Sequence, residues 1–394
     1  MITEVSYSIC DADQHYYEAT DSLTRHLGEQ YKNVVRWVRV GERETLLIKD
    51  RVLTLVPNPT YDPVGEPGSL ETYFRGDNAD GKELRDIIKM IPIPEASRKR
   101  DVRIETLNKQ GVDTAWVLPS LGLGIEEMLN GDSGALHAIL ESYNRWLDDD
   151  WGYSRDNRIL TAPLMSLCDP SSGVRELKRV LELGAKIVVM RPAPVQDGAN
   201  WRSIADKKHD EFWHTAAEAG VTVAFHGADS GYSRHLVTLG ENDSYGGMKQ
   251  STLGEVLGIH VERPVYELVA SMICHGLFDR VSNLKIATVE LGAGWVPELV
   301  RRLEKSFGKT PQMYRRDPIE TLREHVHVSP FYEDDIPGVV KLLGEDNVLL
   351  GSDWPHPEGL KSPRDWIKEF KIEDERQAEK ILRGNLKKLS GLTT

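Results

Sequence analysis

Eight short apolar or β-branched runs, separated for the most part by helix-length amphipathic stretches, constrain this chain more than any other feature. The runs fall at 6–11 (SYSICD), 113–118 (DTAWVL), 159–166 (ILTAPLMS), 186–190 (KIVVM), 221–226 (VTVAFH), 284–290 (LKIATVE), 325–329 (HVHVS) and 347–352 (NVLLGS). Between most of them lie helical patterns, at 134–149, 173–182, 209–219, 262–280 and 294–306. In the first, Leu136, Ile139, Leu140, Tyr143 and Leu147 recur at three-four spacing. Such alternation predicts α/β architecture with a parallel sheet, and eight repeats predict closure into a (β/α)8 TIM barrel. A competing open, doubly wound sheet calls for a Gly-rich phosphate turn after its first strand, and DADQHYYEA has none.

One interval breaks the rhythm. About a hundred residues separate the first two runs, and they hold three short alternating segments, VVRWVRV, ETLLIKD and RVLTLVP. These predict a small β-rich insertion at about 20–100, followed by an irregular loop, NPTYDPVGEPGS at 58–69, suited to covering one barrel mouth. The expectation is one domain over 1–394.

Composition narrows the function classes. The 49 Lys and Arg against 62 Asp and Glu leave a formal charge of −13, and no basic stripe with interleaved aromatics is present, which argues against nucleic acid as a partner. No run approaches the ~20 apolar residues of a membrane span. The N-terminus shows no basic and apolar leader pattern, so the cytoplasm is the expected compartment. Cys10, Cys168 and Cys274 are far apart and read as reduced thiols in small core positions.

In a barrel the active site is built at the C-terminal ends of the strands, and polar residues that end the runs form a cluster of metal-ligand types. The first run ends in Asp11, Asp13 and His15, the fifth in His226, the sixth in Glu290, and the eighth in Asp353 within GSDWPHPEG. Residues two apart in a strand share a face, so Asp13 and His15 can address one ion, with Asp11 in support and His226 and Asp353 completing four ligands. Two imidazoles and two carboxylates suit one divalent ion: zinc, manganese or iron. Taken alone, a strand-end aspartate is often a helix cap. Arg191, ending the fourth run, has the two-point geometry to clamp a substrate carboxylate, or else forms a structural ion pair. Tyr232 and His235 follow His226 on a loop and are candidate substrate contacts, whereas His325 and His327 read as packing residues. Trp295, Phe331 and Trp354 fit either an aromatic wall or core.

Together, DADQH, VAFHG, CHGLFDRVSNLKIATVELGAGW and LLGSDWPHPEG resemble, in order along nearly the whole chain, the amidohydrolase-related family that includes aminocarboxymuconate semialdehyde decarboxylase and gamma-resorcylate decarboxylase. The resemblance implies a (β/α)8 metal enzyme, mostly acting as a non-oxidative decarboxylase, and a homo-oligomer. It places the family's first-strand ligand pair on Asp13 and His15, its strand-five histidine on His226 and its strand-eight aspartate on Asp353. At the sixth strand the chain departs: Glu290 stands where the decarboxylases have a catalytic histidine, so the acid or base here is a carboxylate, with Asp353 and His275 the other candidates. The expected activity is therefore metal-dependent decarboxylation of an aromatic or unsaturated carboxylic acid, a small-molecule carboxylate substrate. Hydrolysis of an amide, ester or lactone by a metal-activated water is the alternative, and a non-catalytic metal-binding barrel is the second alternative.

Overall fold

A computed structural model of the chain describes residues 2–41, 43–198, 200–241 and 251–393. It begins with β1 (Ile9–His15), buried along its whole length. An antiparallel sheet of β2 (Val35–Val40), β3 (Arg43–Ile48) and β4 (Arg51–Val52) follows, then the short pair β5 (Val64–Gly65) and β6 (Met90–Ile91). The helix Arg100–Gln110 leads into β7 (Val112–Leu118), which lies parallel to β1 and to β8 (Ile159–Thr161). Next come β9 (Ile187–Met190), the hairpin of β10 (Val195–Asp197) and β11 (Asn200–Arg202), then β12 (Thr222–His226), β13 (Ile286–Val289) and β14 (Val326–Val328). In order β9, β12, β13, β14, these form a second parallel sheet.

Helices connect the parallel strands, so both faces of each sheet are covered and the strands read as continuous apolar runs rather than alternating ones. β9 is IVVM and β13 is IATV, every residue buried. Local signals set the helix ends. Asp132 accepts from the Ala135 N–H to start the helix Ser133–Asp150, and Asp169 with Pro170 starts Pro170–Glu182. Gly111 and Gly220, at φ 68° and 66°, end helices one or two residues before β7 and β12, which is the left-handed turn that glycine adopts without strain.

Isolated parallel bridges continue the pairing past the strand ends: Leu164 with Val189, Val328 with Val348, and Gln14 with Trp354. The Leu349 N–H donates to Val328 O at 2.9 Å, and the Ala12 N–H to Leu350 O at 2.8 Å, so residues 348–354 lie between β14 and β1. The parallel α/β expectation agrees with this structure, and five details differ. The first strand runs to His15, so Asp13 and His15 lie within it rather than beyond it. The third run is strand only over three residues, and the eighth contributes a single bridge. The helical pattern at 262–280 breaks at Gly276, φ 65°, into Glu262–Cys274 and Leu277–Arg280. Cys274 is exposed, not core; Cys10 is buried and Cys168 half-buried, all three free thiols. Among the described residues no helix is long and apolar enough to cross a membrane.

One buried side chain ties the first strand to the last segment. The Asp11 carboxylate accepts from the Asp13 N–H at 3.1 Å, the Ser352 N–H at 3.0 Å, the Gln14 amide at 2.9 Å and the Ser352 hydroxyl at 2.6 Å. Burial pushes its carboxyl up to about 6, and the hydrogen bonds from Ser352 and Gln14 work against that rise. Asp11→Ala leaves several buried donors without an acceptor, each worth about 1–3 kcal/mol. Urea unfolding should show a loss on the order of 3 kcal/mol; a change within experimental error would remove Asp11 from this role.

Candidate metal centre

β1, β12, β13 and the segment after β14 each deliver a polar side chain to one point at their C-terminal ends. His15 Nε2 lies 3.2 Å from Asp13 Oδ1, 3.4 Å from Asp353 Oδ1 and 3.6 Å from Glu290 Oε2. His226 Nε2 lies 3.0 Å from Glu290 Oε2 and 3.4 Å from Asp13 Oδ1. Donor atoms of Asp13, His15, His226 and Glu290 fall within 4.8 Å of one another, as do those of His15, Glu290, Asp353 and His356. Glu290 and Asp353 both sit at positive φ, 52° and 56°, a conformation costing a non-glycine residue about 1–3 kcal/mol and found preferentially at functional sites.

The imidazoles are prepared for an ion. His15 Nδ1 lies 3.1 Å from Pro119 O and His226 Nδ1 2.9 Å from Gly227 O, so each ring donates its Nδ1–H to a backbone carbonyl and turns Nε2 inward. His15 Nε2 is fully buried and, among the described residues, faces carboxylate oxygens, with Asp13 Oδ1 the nearest at 3.2 Å. Nitrogen and carboxylate donors in this number fit one divalent ion.

Electrostatics point the same way. Burial raises the Asp13 carboxyl, but hydrogen bonds and charge from His15 and His226 outweigh it and hold it below the usual range. Burial lowers the His15 imidazole, yet the Asp13 and Glu290 carboxylates raise it to about 10. Asp353 is pushed well above the carboxylate range by burial, then by the charges of Glu290 and Asp13. Three carboxyl groups crowding two imidazoles draw positive charge to their focus, which a proton on His15 supplies and a dication would supply in its place.

Of the residues singled out in the sequence, Asp13, His15, His226, Glu290 and Asp353 converge here, with Asp11 behind them. Arg191 is buried elsewhere, in an ion-pair network: its Nη1 is 2.7 Å from Glu127 Oε2 and its Nε 3.3 Å from Glu126 Oε1. Tyr232 donates to Glu267 at 2.8 Å, and His235 is exposed on the short helix Ser233–Thr238. His275 is exposed at the end of helix Glu262–Cys274, outside the cluster and not in a buried carbonyl-bonded position. His325 and His327 pack as expected, with Nδ1 against Leu284 O and Ile286 O. Trp295 is buried on Gly292 O, and Trp354 is buried beneath the Arg103 guanidinium at 4.5 Å.

Sequence reasoning passed over His356, Ser120 and Glu358. His356 Nδ1 lies 2.7 Å from Asp353 Oδ1, and Ser120 Oγ lies 3.1 Å from His356 Nε2. Burial, followed by the charge of Glu290, pushes the Glu358 carboxyl up to about 7. The GSDWPHPEG motif contains two of them, and a tight turn that returns a side chain to Asp353 was the available signal.

Residues 101–392 match the amidohydrolase family, and the chain belongs to it. An amidohydrolase of Mycobacterium avium subsp. paratuberculosis K-10 is 40% identical, covering 99% of this chain and 100% of that one with a TM-score of 0.93. The 2-amino-3-carboxymuconate-6-semialdehyde decarboxylase of Dictyostelium discoideum is 25% identical over 332 residues, 79% of this chain and 80% of that protein. In fold, the chain is also similar to a dihydroxybenzoic acid decarboxylase of Polaromonas sp., solved with bound manganese and 2-nitroresorcinol. That comparison has a TM-score of 0.57 and 18% identity, over 83% of this chain and 97% of that one. Family and donor set together define the chain as an enzyme with a divalent-ion site. His226→Ala removes an inward nitrogen from the centre but nothing from the apolar core. Metal analysis of the purified variant should find the site empty with the fold intact by circular dichroism, and full occupancy would refute the assignment.

Proposed function

We propose that the chain is a metal-dependent, non-oxidative decarboxylase of an aromatic or unsaturated carboxylic acid, with manganese, zinc or iron held by Asp13, His15, His226 and Asp353. The observation that carries this reading is the unequal exposure of the centre. The Glu290 side chain is 24% exposed, against 4% for Asp13, 0% for His15, 1% for His226 and 11% for Asp353. Glu290 is thus the member of the cluster most open to an entering acid, which supports the more buried Asp13, His15, His226 and Asp353 as the ligands. A divalent ion there supplies the positive charge that orients a substrate carboxylate or neighbouring hydroxyl. Glu290 delivers a proton to the ring or chain carbon as its bond to the carboxyl carbon breaks; the electron pair of that bond takes the proton, and carbon dioxide leaves. The decarboxylase relative supports this assignment.

The 40% identical relative named an amidohydrolase supports a second reading, hydrolysis of an amide, ester or lactone, with Glu290 moving the proton of the attacking water. A screen of hydroxybenzoates and unsaturated dicarboxylates for carbon dioxide release by manganese-loaded protein separates the two. Release above the metal-free control supports decarboxylation. Turnover of esters or lactones alone supports hydrolysis, and no turnover with either supports a non-catalytic barrel. In the active assay Glu290→Gln should retain the metal and lower kcat by about 100-fold or more. Near wild-type turnover would exclude Glu290 as the proton carrier, and activity restored by added metal would make it a ligand.

We also propose one (β/α)8 barrel domain over 1–394 with the antiparallel segment as an insertion, a reading supported by the isolated bridges at Leu164, Val348 and Trp354 between the ends of the two parallel sheets. We further propose a cytoplasmic protein and, in keeping with the family resemblance, a homo-oligomer. Light scattering at micromolar concentration should exceed the 44.4 kDa of one chain, and a mass at that value would refute assembly.

A further inference from the structure

Asp353 reaches the metal centre from a backbone at φ 56°, and among the described residues the hydrogen bond to its carboxylate comes from one group, His356. That imidazole is held on several sides. Its ring stacks on His15 at 4.0 Å between centroids and 29° between planes, and lies within 5.8 Å of Tyr17. The backbone N–H of His356 donates to Asp353 O at 2.9 Å, closing the turn. Its second nitrogen, Nε2, faces Ser120 Oγ at 3.1 Å. Ser120 is in turn fixed by its N–H on the buried Glu18 carboxylate at 2.9 Å, and its hydroxyl oxygen lies 3.2 Å from His15 Nδ1.

These contacts have one consistent direction. A His15 that presents the Nε2 lone pair to an ion carries its hydrogen on Nδ1 and donates to Pro119 O and Ser120 Oγ. The Ser120 hydroxyl hydrogen then has two acceptors, His356 Nε2 at 3.1 Å and Tyr16 O at 3.3 Å, of which the imidazole is the nearer. An imidazole that accepts at Nε2 carries its hydrogen on Nδ1, the atom facing Asp353 Oδ1. We propose that His356 is a positioning residue that orients the Asp353 carboxylate for the ion, and that Ser120, bridging His15 and His356, selects the tautomer able to do so. The inference rests on the divalent-ion site proposed above but not on the reaction. Outer hydrogen bonds of this kind typically contribute 10- to 100-fold in metal affinity.

The test titrates manganese(II) into the metal-free full-length protein and follows free ion by its electron paramagnetic resonance signal, with no substrate present. His356→Phe retains a ring to stack on His15 but removes the donor, and should weaken affinity about 10- to 100-fold. His356→Asn, whose amide can replace the Nδ1–H, should recover most of the loss. Ser120→Ala should weaken binding in the unaltered protein and add nothing in the His356→Phe background. Unchanged affinity in His356→Phe, equal loss in the Phe and Asn variants, or additive losses with Ser120→Ala would overturn the proposal. If His356→Phe fails to fold by circular dichroism, Ser120→Ala alone decides, and unaltered affinity there rejects the relay. Failure of the unaltered chain to bind manganese would overturn the ion site and this inference together. Tight binding without carbon dioxide release overturns only the decarboxylase reading.

Discussion

Four hydrogen bonds converge on the buried carboxylate of Asp11, two of them from Ser352, and the placement of the metal centre depends on that convergence. Asp13 and His15 follow Asp11 on β1, and Asp353 and His356 follow Ser352 at the other end of the chain. Holding Asp11 to Ser352 therefore sets the distance between the two groups of donors. The Gln14 amide that donates to Asp11 accepts from Arg103, which also donates to His15 O and stacks on Trp354, so the same network grips both segments from behind. Buried polar networks of this kind are costly when incomplete and rigid when every member is paired.

In front of that network the balance is electrostatic. Asp13, Glu290, Asp353 and Glu358 bring acidic groups to a region where burial already penalises charge, and the raised carboxyls of Asp353 and Glu358 express the conflict. Two imidazoles resolve part of it, and a divalent cation resolves more because it acts on all the donors at short range. The positive φ of Glu290 and Asp353 belongs to the same pattern. Local backbone preference gives way where tertiary contacts over-determine the position of a functional group.

Arg191 shows how the same rules disfavour a simple reading. A guanidinium at the end of a barrel strand has the chemistry of a carboxylate clamp, but here Glu126 and Glu127, both buried, take up its charge, with Asp229 O and Asn130 close by. Releasing such a group toward a ligand would break its pairs with two buried glutamates, of which Glu127 alone keeps a second cation, Arg234 at 3.0 Å, and breaking a buried pair costs several kcal/mol.

What the sequence determined by itself is the periodic part of the protein. Buried parallel strands such as β9 and β13 must be continuous and apolar, and the caps at Asp132, Asp169, Gly111 and Gly220 mark their helices through local backbone chemistry. The donors Asp13, His15, His226, Glu290 and Asp353 were legible for a related reason, since ligand-type residues that end apolar strands are gathered by the chain direction alone. The partners of those donors were not legible. Ser120 meets His15 and His356 across 105 and 236 residues, and Arg191 meets Glu127 across 64, distances over which spacing carries no contact information. Nor could spacing show that His275 faces solvent while His356 turns back onto Asp353, because a tight turn and the end of a helix differ in direction, and only the packed structure decides which way each side chain faces.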